Sequence, residues 1–140
     1  MYILDTDHAT LYQQGHSVLG QRLATLLPSQ LATTIVTYEE QVTGRLAVVR
    51  RTTPGSSRVQ AYLWLQRTLD FFCRIPVLPL DEPASAVFQR LIALKLRVGT
   101  QDLQIASIAL ANGMTLLTRN RRDFQRVPGL VQEDWSIPHE

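Results

Sequence analysis

The sequence predicts an α/β fold of three layers, with helices on both faces of a central, mostly parallel sheet. Two observations carry this. Short apolar runs alternate with longer stretches of helical periodicity in the order β-α-β-α-α-β-α-α-β, and such alternation builds parallel crossover units. The stretch GTQDLQIASIALANGMTLLTRNRRDF, Gly99 to Phe124, reads by itself as helix, tight turn, buried strand and polar loop. The chain has 140 residues, 45% hydrophobic and 19% charged, the size and composition of one globular domain spanning 1–140.

Met1 to Leu4 is an apolar run that ends at once in Asp5-Thr6-Asp7, and it reads as a central first strand. One of those three residues can cap a short helix through Leu11 and Tyr12. Ser17 can cap the next helix, through Val18, Leu19, Leu23, Leu26 and Leu27, which Pro28 ends. Leu31 to Val36 is β-branched and apolar, the second strand. Thr37-Tyr38-Glu39-Glu40 then opens a helix to about Val49, with Thr37-x-x-Glu40 matching a capping box. After the break Thr52–Ser56, Ser57 to Arg74 forms a long helix. Its core stripe reads as Val59, Tyr62, Leu63, Leu69 and Cys73, with Trp64 and Phe71 off that stripe, facing a partner or a neighbouring helix. Val77 to Leu80 is a third strand. Asp81 caps the following helix, with Pro83 near its first position. That helix carries Ala86, Val87, Leu91, Leu94 and Val98. Thr100 caps the next, Asn112-Gly113 stops it, and Met114 to Leu117 is the fourth strand. The segment after Phe124 reads equally as strand or coil.

Chemistry enters through the carboxylates. Asp102, Ile105, Ala106 and Ala109 share one helix face, so a carboxylate points where its neighbours pack. Asp5 (with Asp7), Glu40 and Asp123 each follow a strand end. In a parallel sheet these loops and helix starts lie on one edge, outside the carboxyl ends of the strands, where ligands bind. Several carboxylates packed together repel, and a divalent cation relieves that. All-oxygen donors suit Mg²⁺ or Mn²⁺, which activate water and stabilise the leaving oxygen in phosphoryl displacement. Thr6, Asp7, Thr118 and Asn120 are placed to support such a site, and Arg119, Arg121 and Arg122 to hold phosphates. No Gly-rich phosphate loop, Ser-His-Asp set or HExxH is present, and His8, His16 and His139 are scattered, His8 reading as a bystander.

The charge pattern agrees. All 14 basic residues except Lys95 are Arg, for a net charge of +2. If five of the 12 acids converge, the rest of the surface is distinctly basic, which suits a polyanion around bound cations. No apolar run reaches the roughly 18 residues of a membrane helix, and the acidic opening MYILDTD is no signal peptide. A cytoplasmic protein that engages no membrane is expected. Cys73, the single cysteine, allows no internal disulfide, and its setting predicts a buried small hydrophobe.

The opening YILDTD, the segment TTIVTYEEQVTG, the Gly99–Phe124 stretch and the closing VPGLVQEDW, in that order, resemble the PIN-domain ribonucleases of the VapC toxin type. The resemblance runs nearly end to end and implies a PIN-like α/β/α fold. It matches Asp5, Glu40, Asp102 and Asp123 to the acidic metal-site positions and Asn120 to the polar residue before the last acid. Asp7 departs from the usual Asp-Thr-Asn opening by adding a charge, and the Glu39-Glu40 doublet leaves Glu39 as an alternative ligand. The implied function is that of a Mg²⁺-dependent endoribonuclease, dimeric and silenced by a cognate antitoxin. Two other readings compete. One is a non-catalytic PIN-like RNA-binding or scaffold domain, which would not turn over RNA. The other is a haloacid-dehalogenase-type phosphatase, suggested by Asp5-x-Asp7, which would trap an aspartyl-phosphate; Ala9 stands where that motif wants Thr or Val.

Overall fold

The computed structural model describes residues 1–138, so His139 lies outside the described residues. Five parallel strands form one sheet in the order β3-β2-β1-β4-β5: β1 is Tyr2–Leu4, β2 Leu31–Thr34, β3 Val77–Leu78, β4 Thr115–Leu117 and β5 Gln132–Glu133. Around it lie α1 (Thr6–Gln13), α2 (Ser17–Leu23), α3 (Ile35–Arg51), α4 (Ser56–Arg74), α5 (Glu82–Ala93), α6 (Thr100–Ala111) and the one-turn α7 (Arg121–Phe124). The α/β architecture read from the sequence is the one observed.

Strand alternation builds two cores. Ile3 and Leu116 face a core with Leu91, Ile105, Ile108 and Phe124. Leu4 and Leu117, one residue on, face the opposite core with Leu19, Leu23 and Trp135. β1 and β4 are therefore buried on both sides and read as unbroken apolar runs. α6 ends in a Schellman motif. Gly113 at φ 62 lets its N–H reach Leu110 O and lets the Met114 N–H reach Ala109 O. The chain so reversed runs directly into β4.

Several boundaries differ from the sequence reading, each for a local reason. β2 stops at Thr34, and α3 opens at Ile35, before the expected Thr37. The Thr34 hydroxyl accepts the Thr37 N–H at 3.0 Å and so takes the cap. Glu40 therefore lies beyond the first turn, and the capping-box alternative for it does not hold. His16, not Ser17, caps α2 through Nδ1, and α2 ends at Leu23. Gly99 rather than Thr100 occupies the cap of α6. Asp81 does cap α5, accepting the Ala84 N–H at 3.1 Å. In α4 the inward residues are Ala61, Thr68 and Phe72, because the helix packs along α3 by one narrow face. Val59, Tyr62, Leu63, Leu69 and Cys73, read as its core stripe, are exposed. Phe71 packs inside the chain, edge-on to Tyr12 and Phe72, whereas Trp64 is half exposed beneath the Arg45 guanidinium. Among the described residues no helix is long and apolar enough to cross a membrane.

Removing the Thr34 cap tests this frame. Thr34→Ala should destabilise the chain by about 0.5–2 kcal/mol in urea unfolding, and Thr34→Ser, which keeps the oxygen, should retain most of the parent stability. Equal losses in both variants would show that methyl packing and not the cap sets the start of α3.

Candidate active site

The parallel register places the acids. β1 and β4 pair Leu4 with Leu117, so Asp5 and Thr118 leave the sheet side by side at its carboxyl edge. α6 runs antiparallel to the strands, which brings its first turn, with Asp102, to the same edge. α3 starts there from β2, and α7 starts there just past β4.

Asp5 is 4% exposed. Its Oδ1 caps α1 by accepting the His8 N–H at 2.7 Å, so the N-cap reading of Asp5 also holds. Burial pushes its carboxyl up to about 7, against the opposing pull of the His8 N–H and Thr118, with the Asp7 and Asp102 charges adding to the rise. Burial also raises Asp102, helped by the Asp123 charge and opposed by Asn120. The Asn120 amide donates to Asp102 Oδ2 at 3.3 Å and Asp123 Oδ2 at 3.1 Å, so one NH₂ group sits between two carboxylates. Glu40 is raised by burial, with the Asp102 and Glu39 charges adding and the Thr6 hydroxyl opposing. That hydroxyl donates to Glu40 Oε1 at 3.0 Å, whereas Glu39 accepts from Gln101 on the exposed side.

Two residues that sequence reasoning missed support this edge. Gln41 is buried and ties α1 to α3, donating to Thr6 O and Thr10 Oγ1 and accepting from Gln13. Thr37 Oγ1 lies 3.3 Å from the Thr6 hydroxyl. Their signal is a pair of polar residues, Thr37 and Gln41, one helical turn apart on the buried face of α3. The proposed phosphate-binding arginines divide. Arg121 and Arg122 are exposed, but Arg119 gives Nε and Nη2 to the two oxygens of Asp7 at 2.6 and 2.8 Å. Asp7 is thus paired, which accommodates the extra charge. Arg126 Nη1 approaches Asp123 Oδ1 at 3.4 Å.

The four acids do not close into a tight chelate. Among the described residues, the three whose ligand atoms all lie within 4.8 Å are Asp5, Asp7 and His8. The Asp102 charge instead raises both Asp5 and Glu40, and the Asp123 charge raises Asp102. An all-oxygen set in which Asp5 is buried, Glu40, Asp102 and Asp123 are partly buried, and only Asp123 meets a cationic side chain fits a hard divalent ion.

The PIN-domain family model matches residues 2–130. Ribonuclease VapC1 of Haemophilus influenzae is 27% identical over 97% of this chain and 98% of its own length. The tRNA(fMet)-specific endonuclease VapC of Shigella flexneri is 40% identical over 70 residues, so the match spans only 47% of this chain and 53% of that relative. Among solved structures, VapBC2 from Rickettsia felis, bound to a DNA fragment from its promoter, has a chain that superposes with a TM-score of 0.75. That chain is 25% identical, over 96% of this chain and 98% of its own.

The Asp5 environment makes a pH prediction. Unfolded, Asp5 titrates near 3.8; folded, near 7. Between those values the folded chain keeps a proton that the unfolded chain has lost, so stability falls as pH rises from about 4 to about 7. Glu40 and Asp102, raised too, act in the same direction. His8, lowered by burial to about 4, acts the other way, so the readout is a difference: in EDTA, the parent should lose urea stability relative to Asp5→Asn as pH rises across this window. An equal slope in the two proteins would contradict the burial of an ionisable group at Asp5.

Proposed function

The chain belongs to the PIN-domain family, and from that premise we propose that it is a metal-dependent endoribonuclease, the toxin of a toxin–antitoxin pair, acting in the cytoplasm. The observation that carries the reading is the set of carboxylates at the carboxyl edge of a parallel sheet: Asp5, buried, with Glu40 and Asp102, partly buried, and Asp123 joined to Asp102 through Asn120. The names of the VapC relatives support it.

In this reading Asp5, Asp102, Asp123 and Glu40 hold Mg²⁺, with Mn²⁺ as a substitute. The ion supplies positive charge at the scissile phosphate and lowers the pKa of water, the nucleophile for in-line phosphodiester hydrolysis. The protein supplies geometry. Asn120 spaces Asp102 from Asp123, the Thr6 hydroxyl orients Glu40, and Thr118 with the His8 N–H fixes Asp5. Asp7 holds Arg119 across the mouth of the site, and the exposed Arg121 and Arg122 attract the RNA backbone. An antitoxin is the proposed protein partner, and a second copy of this chain the other. The exposed Val59, Tyr62 and Leu69 on one side of α4, and Trp64 on its other flank, favour such association, since exposed apolar side chains mark interfaces.

The purified chain, free of antitoxin, should cut RNA with Mg²⁺ or Mn²⁺ and stop in EDTA. Asp5→Asn should abolish cutting while salt-sensitive RNA binding persists, because the arginines remain. Glu40→Gln should lower cleavage by orders of magnitude with little change in stability, and Glu39→Gln, the matched control on the exposed side, should leave it near parent. Full activity in EDTA overturns the metal mechanism. Loss in Glu39→Gln with Glu40→Gln spared moves the ligand by one residue.

Association makes a separate prediction. The chain should sediment as a dimer at micromolar concentration, and Trp64→Ala should weaken that dimer. A monomer at every micromolar concentration contradicts self-association, and an unchanged dimer removes the Trp64 flank of α4 from the contact.

A further inference from the structure

We propose that His8 is a positioning residue: its Nδ1–H steers the Asp5 carboxylate into the orientation that receives a divalent cation, and the backbone N–H of Trp135 selects the tautomer that allows this. The proposal rests on the metal-site reading above.

His8 is 0% exposed. Its Nε2 accepts the Trp135 N–H at 3.2 Å; the Asp134 carboxylate, 3.7 Å from the same nitrogen, is taken up by the Ser136 N–H and hydroxyl. A ring nitrogen that accepts carries no proton, so the proton of this imidazole is on Nδ1. Nδ1 has no hydrogen-bond partner, and it faces Asp5 Oδ1 at 3.8 Å, just outside hydrogen-bond distance. A buried donor without an acceptor is destabilising, and a small turn of the Asp5 side chain satisfies it. That same oxygen already accepts the His8 backbone N–H. Ring and backbone of one residue thus address one oxygen of Asp5.

Asp5, Asp7 and His8 look at first like a three-residue cation site, since their ligand atoms lie within 4.8 Å. Their other contacts argue otherwise. Ligation through Nδ1 needs a free lone pair there and hence a proton on Nε2, where the Trp135 N–H already points. Both oxygens of Asp7 are bound by Arg119. The trio is a frame around Asp5. It is also the route by which the segment after β5 reaches the site. The Trp135 ring is buried against Tyr2 at 4.6 Å, with the Arg22 guanidinium 4.8 Å from its centroid. Arg22 further donates to the carbonyls of Asp134 and Ile137, which pins the segment that supplies the N–H.

The test uses the full chain and Mn²⁺ as the probe, with affinity read by electron paramagnetic resonance and the tautomer read by ¹⁵N NMR of the metal-free imidazole. His8→Asn keeps a donor at the Nδ1 position. His8→Gln keeps a polar group only at the Nε2 position, and His8→Leu keeps neither. The parent ring should carry its proton on Nδ1. Mn²⁺ affinity should fall about tenfold or more in His8→Gln and His8→Leu, the scale for a residue that orients a metal ligand, and recover most of that loss in His8→Asn. Thermal melts verify folding, and if His8→Leu does not fold, the Asn and Gln variants carry the comparison. An Nε2-protonated ring, equal affinity in all variants, or equal loss in all three overturns the positioning role. A parent chain that binds no Mn²⁺ overturns the metal-site reading and this proposal with it.

Discussion

The structure depends on a carboxylate held where a protein interior ordinarily excludes charge. Asp5 follows directly on a strand buried on both faces, and no arginine or lysine pairs with it among the described residues. Two neutral donors, the His8 N–H and Thr118, offset only part of its desolvation, so its carboxyl is pushed up to about 7. Asp102 and Glu40 carry the same conflict more weakly. Three such groups at one sheet edge amount to stored electrostatic free energy, which the proposed divalent cation would release on binding.

The fold creates this conflict by its topology. A parallel sheet gathers the ends of all its strands on one edge, and α6, running back from that edge, contributes its first turn there. The cation-free residues then need holding apart, and the chain uses neutral polar groups for it: Asn120 between Asp102 and Asp123, Thr6 against Glu40, Gln41 binding α1 to α3. Positive side chains stay at the margin, where Arg119 meets Asp7 and Arg126 meets Asp123. A guanidinium in the centre would neutralise the acids permanently and leave nothing for a cation to do.

Much of this was legible in the sequence because burial on both faces makes β1, β4 and α6 apolar enough to be seen, and the acids stand out against them. Asp102 was visible as one carboxylate on a face completed by Ile105, Ala106 and Ala109, all fully buried. What escaped notice was decided by tertiary contacts. Thr34 and Thr37 are both plausible caps, and only the pairing of β2, which ends at Thr34, chooses between them. The stripe of α4 was misread because the helix rests on α3 by a narrow line of Ala61, Thr68 and Phe72, leaving larger apolar residues outside. β5 is two residues long and exists only through its register with Leu116 and Leu117. His8 read as a bystander because its partner on the far side, Trp135, is remote in sequence.

The central claim is that these acids bind one class of ligand, a hard divalent cation. Anomalous diffraction from a crystal grown with Mn²⁺ tests it most directly. A peak is expected at the carboxyl edge of the sheet, about 2.0–2.3 Å from oxygens of Asp5 and Asp102, with Asp123 and Glu40 directly bound or joined through water. A peak ligated by Asp7 and the His8 ring, or none near Asp5 at saturating Mn²⁺, would contradict it.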